Sequence, residues 1–119
     1  MSSRHALAAV AVGLGLAVCA AGVNAQTMKS VAGTYTPVKV PAFGENPRGI
    51  LILSPNGYYS LIVARASIPP VASGARTKAT DAENKAMVDG SISHYGRWTI
   101  DDGGKAITFH VETSSFPNW

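Results

Sequence analysis

Gly49-Ile50-Leu51-Ile52-Leu53-Ser54-Pro55-Asn56-Gly57-Tyr58-Tyr59-Ser60-Leu61-Ile62-Val63-Ala64-Arg65 decides the fold. Two runs rich in β-branched, leucine and aromatic residues flank a four-residue turn, which is the pattern of a β-hairpin. Ser54 suits the first turn position, Pro55 presets φ at the second, and Asn56-Gly57 tolerates the positive φ that closes the loop. Side chains alternate along a strand. Tyr59, Leu61, Val63 and Arg65 therefore share one face of the return strand, and Tyr58, Ser60, Ile62 and Ala64 the other. Arg65 either reaches inward or marks the strand end.

Working outward, Ser91 to Ile100 and Lys105 to Thr113 form a second hairpin around the turn Asp101-Asp102-Gly103-Gly104. Ile92, His94, Gly96, Trp98 and Ile100 make the apolar face of its first strand, so His94 points inward beside Trp98. Ile107, Phe109 and Val111 point inward from its second, while Thr108, His110 and Glu112 point out. Between the hairpins, Ser67 to Lys78 reads as a loop, and Thr80 with Glu83 reads as a capping box opening a short helix. Gly90 is a plausible stop for that helix. Upstream, Val31 to Thr36 reads as a short strand and Ala42 to Arg48 as a loop. The fold class is all-β: an antiparallel meander of five strands with one short helix.

The N-terminus reads as a cleavable signal peptide over residues 1–25. Arg4 and His5 precede an apolar run from Ala6 to Ala21, and Val23-Asn24-Ala25 supplies the small-residue cleavage site. The run is short for a membrane helix, which needs about 20 apolar residues. Cys19 lies in this run, but Val18 before it does not suit lipid attachment. The expected compartment is the periplasm or the medium, with no membrane span after cleavage. Residues 26–119 then form one domain with a modest core. Of the ten Lys and Arg, Arg4 leaves with the leader, so nine face seven Asp and Glu, a net charge near +2. These charges are scattered, which argues against a nucleic-acid partner. Cys19 is the only cysteine, so the mature domain has no disulfide or thiol chemistry.

Several segments, in one order along the chain, resemble the lipocalin-like domain family. They are Gly33-Thr34-Tyr35, Glu45-Asn46-Pro47-Arg48-Gly49 with Ile50 to Leu53, Gly57-Tyr58-Tyr59-Ser60-Leu61, Ala72-Ser73-Gly74 and Glu83-Asn84-Lys85-Ala86. Ser91-Ile92-Ser93-His94-Tyr95-Gly96 is the most specific, followed by Phe109-His110-Val111-Glu112 and Ser115-Phe116-Pro117-Asn118-Trp119. Tyr35 stands where many relatives carry Trp. The family pattern also continues beyond Phe-Pro-Asn-Trp with further strands. The resemblance implies a lipocalin-like meander or calycin-type barrel. Five strands fall short of the eight of a closed up-and-down barrel, so the expectation is an incomplete, C-terminally truncated barrel with two open edges that invite self-association.

The candidate site residues are His94, Trp98, Tyr59, Arg65 and Phe109. An inward His94 either donates to a ligand's carbonyl or carboxyl group or is a core histidine bonded to backbone. Arg65 either holds an anionic head group or is a solvated strand end. The aromatics either line a cavity or are ordinary core. His94 and His110 face opposite ways, and no Asp, Glu or Cys completes a metal site. No cofactor is implied. Nucleophile elbows, metalloprotease helices and phosphate loops are missing, and Asp101-Asp102 reads as turn chemistry. The expected function is binding of a small apolar or amphipathic molecule. The alternatives are an isomerase- or cyclase-like enzyme using His94 for proton transfer, and an assembly module using the open sheet edge.

Overall fold

The computed structural model describes Val18–Cys19 and residues 26–119. In chain order it holds β1 (Val18–Cys19), a one-turn helix α1 (Met28–Val31), β2 (Gly33–Tyr35), β3 (Arg48–Leu53), β4 (Tyr58–Ala64), helix α2 (Asp81–Gly90), β5 (Ser91–Ile100) and β6 (Ala106–Ser114). The leader read over residues 1–25 lies outside the described residues apart from the two of β1. The sheet order is β1-β6-β5-β4-β3-β2, antiparallel throughout. Consecutive strands β2 to β6 are thus neighbours in an open meander, and β1 adds a two-residue edge opposite Ile107 and Ala106.

Both hairpins form for the local reasons their sequences give. Gly57 N donates to Ser54 O at 3.0 Å and Ser54 N to Tyr58 O at 2.8 Å. Gly57 takes the left-handed φ of +88° that returns the chain. In the second turn Gly104 has φ +64°, and Asp101 Oδ1 accepts from Lys105 N at 2.7 Å and Ala106 N at 3.2 Å. Those backbone donors, Lys105 first, hold the Asp101 carboxyl below the usual carboxylate range. Asp101 therefore ties the turn together, as its sequence context predicted.

The capping box at α2 also forms. Thr80 Oγ1 accepts from Glu83 N at 3.2 Å, and Glu83 Oε1 accepts from Thr80 N at 2.9 Å. The second carboxylate oxygen of Glu83 accepts from Ala72 N at 2.6 Å, which ties the preceding loop to the helix. Gly90 ends α2 for a reason other than a left-handed cap, because Ser91 starts β5 at once with extended φ and ψ. A Cβ on buried Gly90 would lie 3.0 Å from Ile68 Cδ1, so this glycine lets the helix end pack on the loop.

Two expectations are corrected upstream. Val31 to Thr36 is not one strand. Thr27 accepts from Ser30 N at 3.1 Å and its own N–H donates to Ser30 Oγ at 2.9 Å, a box that winds Met28–Val31 into a helical turn before β2. The stretch from Ala42 to Arg48 is not simply a loop either. Pro41–Phe43 forms a 3-10 turn, and β3 already begins at Arg48. Val31, Val40 and Phe43 are buried in the core. These apolar residues cover sheet surface that would otherwise face water.

Strand alternation decides the faces. Leu51 and Leu53 from β3, Tyr59, Leu61 and Val63 from β4, His94 and Trp98 from β5, and Ile107 and Phe109 from β6 are all buried. The opposite face leaves Ile52, Tyr58, Ile62 and Tyr95 exposed. A bulge interrupts β5–β6: Gly96 pairs with Val111 but Tyr95 with Thr113, so Glu112 is the extra residue. The register beyond it sets Ser114 opposite His94. Residues 115–119 then continue as an irregular tail. Among the described residues no helix is long and apolar enough to cross a membrane.

Candidate functional site

Among the described residues, His94 is the one buried polar or charged residue on the apolar face, only 4 % exposed. It reaches that face because β5 alternates strictly. The β4–β5 register places Leu61 directly opposite it and Tyr59 opposite Gly96. Tyr59 is thus the diagonal neighbour of His94, a spacing that a long aromatic side chain spans. Its Oη lies 2.8 Å from His94 Nδ1. The Tyr59 ring also meets Phe109 edge to face at 4.6 Å between centroids. On the other side of the imidazole, Trp119 stands edge-on at 5.6 Å, and Phe116 in turn packs on Trp119.

The remaining ring nitrogen, His94 Nε2, is fully buried and has no hydrogen-bond partner among the described residues. The tautomer follows from counting what each choice leaves unmade. If Tyr59 donates its hydroxyl to Nδ1, one group is orphaned, the Nε2–H. If Nδ1–H donates to Tyr59 instead, both the phenol hydrogen and the Nε2 lone pair lack partners. The first arrangement is favoured, since each buried unsatisfied group costs about 1–3 kcal/mol. Nε2 is therefore a donor with nothing to donate to.

Electrostatics agree with a neutral pair. Burial holds the His94 imidazole below the usual histidine range. Removal from water, with a smaller effect from the Glu112 charge, pushes the Tyr59 phenol up to about 12. The sign for His94 is fixed by linkage: the unfolded chain takes up a proton near pH 6.5 and the folded one only at lower pH. Its contribution is complete above about 6.5 and is lost as pH falls toward the lowered folded value. Urea unfolding midpoints are expected to drop as pH falls below about 6.5, and His94→Phe is expected to remove that part of the slope. Backbone donors hold the Glu83 and Asp101 carboxyls below the usual carboxylate range, so their contribution is lost only as pH falls below that range.

Four of the five residues singled out in the sequence lie on this face, and three of them meet. Tyr59 joins His94 and Phe109 in one cluster. Trp98 lies on the same face but is a core residue, 1 % exposed, with Nε1 donating to Ser54 O at 2.9 Å. His94 and Trp98 share the buried face of β5, and the rings that meet the imidazole are Tyr59 and Trp119. Arg65 is exposed just past the end of β4, where its N–H donates to Gly90 O at 2.8 Å. It is not brought to the cluster. Trp119, which the sequence reading did not single out as a site residue, joins the cluster through its edge-on contact with His94. Its only sequence signal was an aromatic pair in a Pro-containing tail.

The outer face offers a shallower feature. Arg97 stacks on Tyr58 at 3.7 Å, donates to its hydroxyl at 2.6 Å and lies 3.6 Å from Glu112. Beside this group, Ile52, Ser54, Tyr58, Ser60 and Tyr95 border an open depression of about 290 Å³. Among the described residues no cluster of three or more His, Cys, Asp or Glu is placed to hold a metal ion.

A family model described as a lipocalin-like domain matches residues 26–119. No curated protein and no solved structure matches the chain.

Proposed function

We propose that this chain, which belongs to the lipocalin-like domain family, binds a small apolar or amphipathic molecule against the inward face of its sheet, with His94 fixing the ligand's orientation. The observation that carries the reading is the buried, unpartnered Nε2 of His94. Buried polar atoms in native proteins are almost always satisfied, and a binding site built of apolar walls with one or two placed polar groups leaves such an atom waiting for its ligand. Tyr59, Phe109 and Trp119 supply the walls around it. The leader pattern at residues 1–25 supports action in the periplasm or the medium.

Native mass spectrometry of the chain, expressed with its leader and purified without detergent, tests this. The expected species is a monomer lacking residues 1–25 and carrying a few hundred daltons of retained small molecule. A bare monomer, stripped of ligand by nothing harsher than dilution, contradicts the reading.

A second reading rests on the open edge. Among the described residues the outer edge of β6 meets only β1, at its first two residues, and an unpaired strand edge invites another chain. A dimer in the same spectrum favours it. The proton-transfer alternative is weakened by the His94 tautomer. The nitrogen free to meet a substrate carries the proton, and the phenol behind it holds its own until about pH 12.

A further inference from the structure

We propose that the ligand carries a neutral carbonyl-type oxygen, which accepts the Nε2–H of His94 beneath the Trp119 tail. This rests on the binding reading above and narrows it to a ligand class. Three observations converge on it.

The first is the direction of the missing bond. With Tyr59 donating to Nδ1, the orphan at Nε2 is a donor, so the occupant presents an acceptor. An ammonium, which can only donate, does not complete the pair. The second is charge. Every Lys and Arg among the described residues is exposed: Lys29, Lys39 and Arg48 toward the start, Arg65, Arg76, Lys78 and Lys85 around α2, and Arg97 and Lys105 beyond it. Arg97 is already engaged on the outer face by Tyr58 and Glu112. A carboxylate at Nε2 would therefore be buried with one hydrogen bond and no cation, an arrangement that costs several kcal/mol. It would also feel the Glu112 charge that already bears on Tyr59. A ketone, ester or amide oxygen meets the same donor without that penalty.

The third is the cover. Trp119 stands over the imidazole from a tail whose own ties are few. Ser115 N donates to Ser93 O at 2.8 Å, Ser93 N to Ser115 Oγ at 3.0 Å, Phe116 N to Ser114 Oγ at 3.0 Å and Trp119 N to Phe116 O at 3.2 Å. Phe116 is substantially exposed. Lifting residues 116–119 as a unit breaks only the Phe116 N bond to Ser114 Oγ, since the Trp119–Phe116 bond lies within the segment, and takes the Trp119 ring off the imidazole. The carbonyl then enters at Nε2 and the apolar remainder lies along Tyr59 and Phe109.

The test compares three probes of one chain length on the full chain: a medium-chain methyl ketone, the matching alkane and the matching carboxylate. Affinity is read from tryptophan fluorescence, and the His94 Nε2 proton from NMR of the labelled protein. The ketone is expected to bind about tenfold more tightly than the alkane, the worth of one buried hydrogen bond. It is also expected to bind more tightly than the carboxylate and to shift the Nε2 proton downfield. In His94→Phe the ketone's advantage over the alkane disappears. Equal binding of ketone and alkane to the unaltered chain overturns the carbonyl assignment while leaving the binding reading intact, and so does tightest binding by the carboxylate. If none of the three binds, the binding reading falls with it. The comparison on the unaltered chain decides the matter even where the variant does not fold.

Discussion

Gly96→Ala abolishes the native β5–β6 pairing, and with it cooperative folding at room temperature. A Cβ at position 96 would lie 2.0 Å from His110 O and 2.8 Å from Glu112 N. Both are backbone atoms of the bulged strand, so no side-chain rotation relieves the overlap, and the ladder itself has to open. Overpacking that side chains can absorb costs about 1–3 kcal/mol; this overlap should exceed that range. Gly49→Ala is a companion case, with a Cβ 2.2 Å from Ile62 O. Gly103→Ala is the control: its nearest neighbours stand at 3.9 Å, and a change within about 0.5 kcal/mol is expected. Urea unfolding followed by circular dichroism separates the three. The bulge matters beyond stability, because it sets Ser114 opposite His94 and leads directly into the tail that brings Trp119 over the imidazole. A Gly96→Ala chain that unfolds with a normal midpoint would show that the bulge is not the constraint described here.

Trp98→Ala is expected to lose about 3–5 kcal/mol, the usual cost of emptying a buried aromatic site. Trp98 is among the largest fully buried side chains, and its loss also removes the indole N–H that Ser54 O accepts alongside the Gly57 N–H. The Trp98 backbone N–H donates to Gly57 O at 2.9 Å, so the residue joins the first hairpin's turn to β5. A domain of this size has only about 5–15 kcal/mol in total, and the variant should melt near or below ambient temperature. Trp98→Phe keeps most of the buried ring and loses less, chiefly the bond to Ser54. A Trp98→Ala melt within about 1 kcal/mol of the unaltered chain would contradict the assignment of Trp98 to the core.

Both hairpins were legible because their information is local. Ser54 to Gly57 and Asp101 to Gly104 specify turn geometry by themselves, and two-residue alternation then assigns His94, Trp98 and Phe109 inward. The one-turn helix at Met28–Val31 was not legible, since Ser30 and not Glu or Gln closes its capping box, and Val31 fits a strand equally well. Phe43 is a core residue hidden in a segment rich in Gly, Pro and Asn, where composition says loop. The site was legible only in part for a further physical reason. That Tyr59 reaches His94 depends on the β4–β5 register, set across 35 residues containing a loop and a helix. That Trp119 covers it depends on a bulge that alternation alone cannot foresee. Arg65 illustrates the reverse: parity put it on the inward face, but β4 ends at Ala64.

The Tyr59–His94 pair departs from an otherwise apolar inward face, and it leaves one donor unmade. Protein cores that carry such a departure without a compensating gain in stability carry it for function. Replacing both partners of a buried hydrogen bond by apolar groups of similar shape is close to neutral or stabilising. The most direct measurement is therefore the thermal and urea stability of the double variant Tyr59→Phe/His94→Phe, with both proteins stripped of ligand. The aromatic contact with Phe109 is retained and the unpartnered nitrogen is removed. The double variant is expected to match or exceed the unaltered chain in stability while binding the ketone no more tightly than the alkane. A loss of about 2 kcal/mol or more would contradict this account and show that the pair holds the core together.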